Sequence, residues 1–264
     1  MDKLSTVHVR KKGAVATLKL HRPRVHNAMN LQMIRELTDS LESLNRETDI
    51  RIVVLTSDGE NFSAGADLNW MREGMKQDET QLEQESLELA GLFRVIRESA
   101  AVTIASVRGR IIGGAIGLVA ASDLVVAEES SIMAFSEVKL GLVPATIAPH
   151  VLRKAGSSRT LDWMLTGRSI PASEALQAGL FHRVCKSGSL EQTTDKLISD
   201  LLPNGPLALA GVKELLRNLE VETDPARIDL MNAKRIAAFR ISPEGQEGMS
   251  AFFVKRKPKW NEAP

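Results

Sequence analysis

Glu137 is a carboxylate set among apolar side chains. In "MAFSEVKLGLVP" its neighbours include Phe135, Val138, Leu140 and Leu142, and a carboxylate so placed is costly to bury unless it is used or paired. Desolvation raises the pKa of such a group toward the range where it can take and return a proton near neutral pH. General acid/base work is one role for it. An ion pair with Lys139 or a nearby arginine is the other. Two glycine-bearing junctions offer something for an acid/base group to act beside. "NFSAGADL" (61–68) follows one apolar run, and "RGRIIGGAIG" (108–117) directly follows another. Each reads as a chain leaving a buried strand and entering a helix. The first N–H groups of a helix lack internal partners and carry the positive end of its dipole. Two such amides from two loops would polarise one carbonyl oxygen, an arrangement whose loss in other enzymes costs about 3–4 kcal/mol of barrier. Close packing of helix on strand is the alternative use of the glycines. Asp67 has an alternative of its own, as N-cap of a helix starting at Leu68.

Other chemistries find less support. No "GK[ST]" follows either junction, and "GGAIG" lacks the G-x-G-x-x-G spacing of a dinucleotide loop. Ser63 and Ser136 stand outside any G-x-S-x-G context. His150 reads as a surface or packing histidine, and tyrosine is absent. No His/Cys/Asp set falls at metal-ligand spacing, so no metal is expected. Cys185 is the only cysteine; it excludes an intrachain disulfide, suits a reducing compartment and reads as a small buried hydrophobe.

The elements that must position these groups follow from periodicity. "TVHVR" and "AVATLKL" alternate around "KKG" and predict a β-hairpin. Asn30 is placed to cap a helix with Leu31, Ile34, Leu37, Leu41 and Leu44 on one face. Residues 50–57 and 102–107 predict buried strands, as does "LVVAE". A short helix is expected over 68–75, and the polar run "MKQDETQLEQES" (75–86) is expected to be mobile. Beyond it Leu89, Phe93 and Ile96 share a helical face. "GGAIGLVAAS" predicts a helix, and "SIMAFSEVKLGLVP" two short extended pieces parted by Phe135 and Ser136. From Thr146 on the pattern is helical, at about 147–154, 157–166, 172–178, 189–202, 206–219, 225–240 and 243–256, with Pro171, Pro206 and Pro243 at first turns. The fold class is α/β with a helical C-terminal extension.

At 264 residues, 43% apolar and 25% charged, the chain has ordinary globular composition. A formal charge of +1 gives no pull toward nucleic acid or an anionic membrane. The N-terminal "MDKLSTVHVRKKG" has no signal-peptide core, and no apolar run is long enough to span a bilayer. A cytoplasmic protein without membrane or nucleic-acid partners is the expectation.

Taken in order, "RPRVHNAMN", "FSAGADLNWM", "RGRIIGGAIGLVAASD", "FSEVKLGLVP", "LTGRSIPASEALQAGLFHRV" and "EGMSAFFVKRKPKW" make the chain resemble the crotonase superfamily, the enoyl-CoA hydratases and isomerases, over nearly its whole length. The resemblance implies a ββα spiral core over 1–190, a helical oligomerisation region over 191–264, and a homotrimer or dimer of trimers. It implies an acyl-CoA substrate, with coenzyme A entering as part of that substrate and no further cofactor. The thioester oxygen would be held by the amides of Ala66 and Gly114. Ala64, Asp67 and Leu68 match the strip along the CoA chain, and Arg24 and Ala28 the region near its nucleotide. Phe252 and Lys255 match positions that reach CoA in related trimers. The basic run "VKRKPK" would either meet the CoA phosphate or be a solvated tail.

One departure bears on the reaction. Hydratases with two glutamates read "GGGCE" or "GGGLE" where this chain reads "GGAIG", so Gly117 replaces one carboxylate and Glu137 is left alone. One carboxyl suits a 1,3-proton shift. Hydration by one carboxyl requires it to pass the proton of water on to the α-carbon. "FSAGADLNWM" with "FSEVKLGLVPATIAPHV" is nonetheless most similar to bacterial methylglutaconyl-CoA hydratases of leucine and isoprenoid breakdown. Standard hydratases have "PGAGGT" where this chain has "PATIAP". The resemblance therefore implies hydration of a 2-enoyl-CoA, with enoyl-CoA isomerisation as the second reaction and a non-catalytic acyl-CoA- or RNA-binding role as a third. A glutaconyl substrate would need a cation near the acyl group, from Arg72, Arg110, Lys139 or His150.

Overall fold

The computed structural model describes residues 5–261. The chain divides into two compact units, one through Asp195 and one from Lys196.

The first unit opens with the expected hairpin, β1 (Val7–Lys12) and β2 (Val15–Leu20), antiparallel and turned at Gly13. Alternation in β2 sends Ala16, Leu18 and Leu20 into the core. Helix α1 (Leu31–Asn45) is capped by Asn30, whose side chain accepts from Met33 N at 3.0 Å, and it buries Met33, Ile34, Leu37, Leu41 and Leu44. β3 (Ile52–Ser57) lies parallel to β2. Helices α2 (Leu68–Gly74) and α3 (Glu79–Glu98) follow, then β4 (Val102–Val107), every residue of which is buried.

Next come β5 (Arg110–Ile112), α4 (Gly114–Ala121), β6 (Leu124–Glu128) and β7 (Ile132–Ala134). Helix α4 is buried from Ala115 to Ala121, as suits a helix that is apolar all round. Helix α5 (Ala148–Thr166) breaks at Gly156, where φ is 73° and ψ 167°, so the expected helical pair is present as two segments. β8 (Ile170–Pro171), α6 (Ala172–Gln177) and β9 (Arg183–Cys185) complete the strands. Helix α7 (Leu190–Leu201) runs across the division between units. The larger sheet has the order β1-β2-β3-β4-β6-β9 and the smaller β5-β7-β8. Phe62, Phe93, Phe135, Trp163 and Phe181 are fully buried in one core shared by both.

The second unit is helical, with α8 (Pro206–Leu219), α9 (Pro225–Ile241) and α10 (Pro243–Phe253). Each begins with proline, which lacks the N–H that a first turn cannot use. The Glu244 carboxylate accepts from Leu207 N and Ala208 N at 2.9 and 2.8 Å, which ties α10 to the start of α8. None of the described helices is long and apolar enough to cross a membrane.

Two local expectations need correction. The polar 75–86 run is helical from Glu79, because Asp78 and Gln81 form a reciprocal capping box. The second piece of "SIMAFSEVKLGLVP" is a 3-10 turn (Glu137–Leu140) rather than extended chain. Gly141, with φ 74°, closes that turn in the left-handed region.

Candidate active site

The 61–67 segment is stitched to its surroundings by its own amides. Phe62 N donates to Arg108 O at 2.9 Å, Ser63 N to Arg110 O at 3.0 Å and Ala64 N to His26 O at 2.9 Å. Gly65 N donates to Ser63 Oγ at 3.2 Å and Asp67 N to Met29 O at 2.8 Å. From Phe62 to Asp67, Ala66 alone donates to no acceptor among the described residues. Gly65, at φ 93°, lets the segment approach β5: a β-carbon there would stand 3.0 Å from Ile112 O.

The second junction behaves alike. Gly113 N continues the smaller sheet by donating to Ala134 O at 3.0 Å, and Ile116 N turns back to Gly113 O at 2.8 Å. Between them Gly114, the first residue of α4, has no acceptor among the described residues. Met29 links the junctions. Its backbone pairs with Ala66, and its Cε lies 3.5 Å from where a β-carbon of Gly114 would be.

Glu137 completes the cluster. Its Oε1 lies 3.2 Å from the position of a β-carbon on Gly113, which only a glycine at φ 53° leaves free. Its Oε2 is buried without a hydrogen-bond partner, and it makes no ion pair among the described residues. Burial holds its pKa above the ordinary carboxylate value, opposed by a bond from its own amide. The structural pairing with Lys139 is therefore not formed. Two unengaged amides and one unpaired carboxyl can together polarise a carbonyl oxygen and move a proton at the adjacent carbon.

A cavity of about 860 Å³ opens from Ala66, walled by Leu68, Trp70, Leu89, Leu140 and Leu142 among others. Leu89, one of its walls, also lies 3.8 Å from where a Gly114 β-carbon would be. Of Arg72, Arg110, Lys139 and His150, only Arg72 lines this cavity.

The remaining residues singled out from sequence fall as follows. Leu68 is exposed at the cavity, Ala64 is half-buried and Ala28 buried. Arg24 is exposed in a 3-10 turn (Pro23–Val25). The Asp67 carboxylate is occupied: it caps α2 through Asn69 N at 2.8 Å and pairs with Arg22 at 2.9 Å. Its pKa is lowered, because those bonds outweigh a larger single effect of burial in the other direction. Phe252 and Lys255 lie in the second unit and are exposed, with Lys255 at φ 54°. His150 packs edge-on against Phe93, and burial, with help from nearby cations, lowers its pKa to about 4.

Some positioning residues went unread in the sequence. Asn27 is fully buried, and its side-chain amide donates to Asp58 O and Asn61 O at 2.8 and 2.9 Å, pinning the loop that receives Ala64. Phe93 and Ile147 fill the space beside Gly117: a β-carbon there would overlap the Phe93 ring and sit 2.7 Å from Ile147 Cγ2. No carboxylate fits at position 117 in this packing.

A family model described as "Enoyl-CoA hydratase/isomerase" matches residues 10–263. An enoyl-CoA hydratase of known structure from Shewanella pealeana is 39% identical, covers 98% of this chain and 97% of its own, and superposes with a TM-score of 0.95. The 2,3-dehydroadipyl-CoA hydratase of Escherichia coli is 31% identical over 97% of this chain and 98% of its own. The trans-2-decenoyl-[acyl-carrier-protein] isomerase of Streptococcus mutans is 26% identical over 94% and 95%. The fold is thus the crotonase fold, with a helical C-terminal region. The chain belongs to the enoyl-CoA hydratase/isomerase family and is an enzyme of that family, which implies an acyl-CoA substrate.

Proposed function

We propose that this enzyme hydrates a 2-enoyl-CoA, using one carboxyl for both proton transfers. The observation that carries this reading is the unpaired Glu137 carboxyl beside the Gly113–Gly114 turn. With the thioester oxygen on the amides of Ala66 and Gly114, the Glu137 carboxylate takes a proton from water as its oxygen bonds to C3. The C2–C3 π electrons move into the thioester, and the enolate oxygen is stabilised by the two amides. Glu137, now protonated, delivers that proton to C2, and the carboxylate is restored. The acyl chain occupies the apolar cavity. A branched acyl group with its own carboxylate, such as 3-methylglutaconyl, would meet Arg72 there.

A second reading is favoured by the closed space at Gly117. With one carboxyl, removal of a C2 proton from a 3-enoyl-CoA and its return to C4 gives double-bond migration through the same stabilised enolate.

Purified enzyme incubated with crotonyl-CoA, 3-methylglutaconyl-CoA and a 3-enoyl-CoA separates the two. Loss of the enoyl-thioester absorbance with either of the first two supports hydration. Its appearance with the third alone replaces hydration by migration. Tight acyl-CoA binding with no change in any mixture would overturn both and leave a binding role.

A further inference from the structure

We propose that His8, His21 and Asp58 form a surface site for a divalent transition-metal ion of the zinc class, separate from the acyl-CoA chemistry. The three side chains come from three neighbouring strand ends. His8 on β1 stands opposite Lys19 of β2, so His21, just beyond β2, is its diagonal neighbour on the same face. The His21 amide donates to Thr6 O at 2.8 Å, which extends the ladder far enough to fix that position. Asp58 follows β3, and its amide donates to Leu20 O at 2.9 Å.

These registers bring the donor atoms together. The two imidazole rings stack with centroids 3.8 Å apart and 28° between their planes. Asp58 Oδ2 lies 2.6 Å from His21 Nδ1. One ligand atom from each of the three side chains lies within 4.8 Å of the others. Two imidazole nitrogens and a carboxylate oxygen are the donor set that late divalent ions such as zinc prefer, with water completing a tetrahedron. Bonds of about 2.0–2.1 Å place such donors roughly 3.3 Å apart, so the most distant atoms must draw in by up to about 1.5 Å on binding. The side chains have that freedom, since His8 is exposed and the His21 and Asp58 side chains are 39% and 30% exposed.

Lys19 is the competitor. Its Nζ is 3.1 Å from Asp58 Oδ1, on a side chain 41% exposed. None of the three ligand residues lines the acyl cavity, which sets this site apart from turnover.

The test uses the full chain after chelator treatment, titrated with cobalt(II) by visible absorbance and with zinc(II) by calorimetry. One equivalent is expected to bind, with the ligand-field bands of a tetrahedral site. His8→Ala and His21→Ala should each weaken zinc at least about tenfold, by analogy with losses around known metal sites, while their melting curves and acyl-CoA turnover stay those of the parent. Lys19→Met, which removes the competitor, should bind zinc more tightly. Absence of binding at millimolar metal, or an affinity untouched by both histidine substitutions, would overturn the proposal.

Discussion

Alanine at Gly117 is a small change with a calculable cost. The added methyl would overlap the Phe93 ring and lie 2.7 Å from Ile147 Cγ2, where relaxed carbon contacts are about 3.5–4.0 Å. Phe93 and Ile147 are 0% and 1% exposed, so neither can yield into solvent. Overpacking costs about 1–3 kcal/mol; contacts this short against two immobile side chains put it at about 2–3 kcal/mol, and the better helix propensity of alanine returns about 1 kcal/mol. A net loss of about 1–2 kcal/mol remains, which lowers Tm by roughly 2–8 °C in a chain of this size. Phe93→Leu removes the ring atoms that the methyl meets. Alone it opens a cavity and destabilises; combined with Gly117→Ala it should recover about 1 kcal/mol relative to the sum of the single changes. Melting curves of the parent, both single variants and the double variant, followed by circular dichroism, measure this directly. Because Gly117 and Gly114 share α4, turnover should fall with Gly117→Ala and partly return in the double variant. A Gly117→Ala variant as stable as the parent, or two strictly additive changes, would refute the packing argument.

Two further outcomes follow from the site. Burial raises the pKa of Glu137 above its ordinary 4.5, so the folded chain holds this proton more tightly than the unfolded one and loses stability as pH rises past that value. Glu137→Gln should therefore melt higher than the parent at neutral pH, with the gain vanishing below about pH 4.5, as paired melts across that range would show. Asp67→Ala removes the cap of α2 and leaves Arg22 without its carboxylate, for a loss of about 1–3 kcal/mol measurable as a lower urea midpoint. Because the Asp67 pKa is lowered in the fold, that difference should shrink as pH falls below the usual aspartate range.

Much of this was legible in the sequence because apolar periodicity reports burial. The hairpin, the strands over β3, β4 and β6, the Asn30 cap and the C-terminal helices all follow from it. The two glycine junctions were legible for a related reason, since positive φ at Gly65 and Gly113 leaves few other residue types. What escaped depends on partners distant in sequence. β5 and β9 are three-residue strands that exist only through pairing with β7 and β6. The helix start at Asp78 was hidden because a capping box in a polar run looks like any solvated stretch. His8, His21 and Asp58 are scattered along the chain and meet only once the β1-β2-β3 register is set. The hairpin register, read residue by residue, is the signal that would have paired the histidines. At Gly117 the missing carboxylate was legible, but the Phe93 and Ile147 side chains that close its place were not.

The central claim is tested most directly by the turnover of Glu137→Gln on an enoyl-CoA substrate, measured beside acyl-CoA affinity for the same preparation. The amide keeps the shape of the side chain but cannot relay a proton. Turnover should fall by about 10²–10⁴-fold, with affinity changed little because the amides of Ala66 and Gly114 are untouched. A variant that keeps most of its turnover would contradict the account.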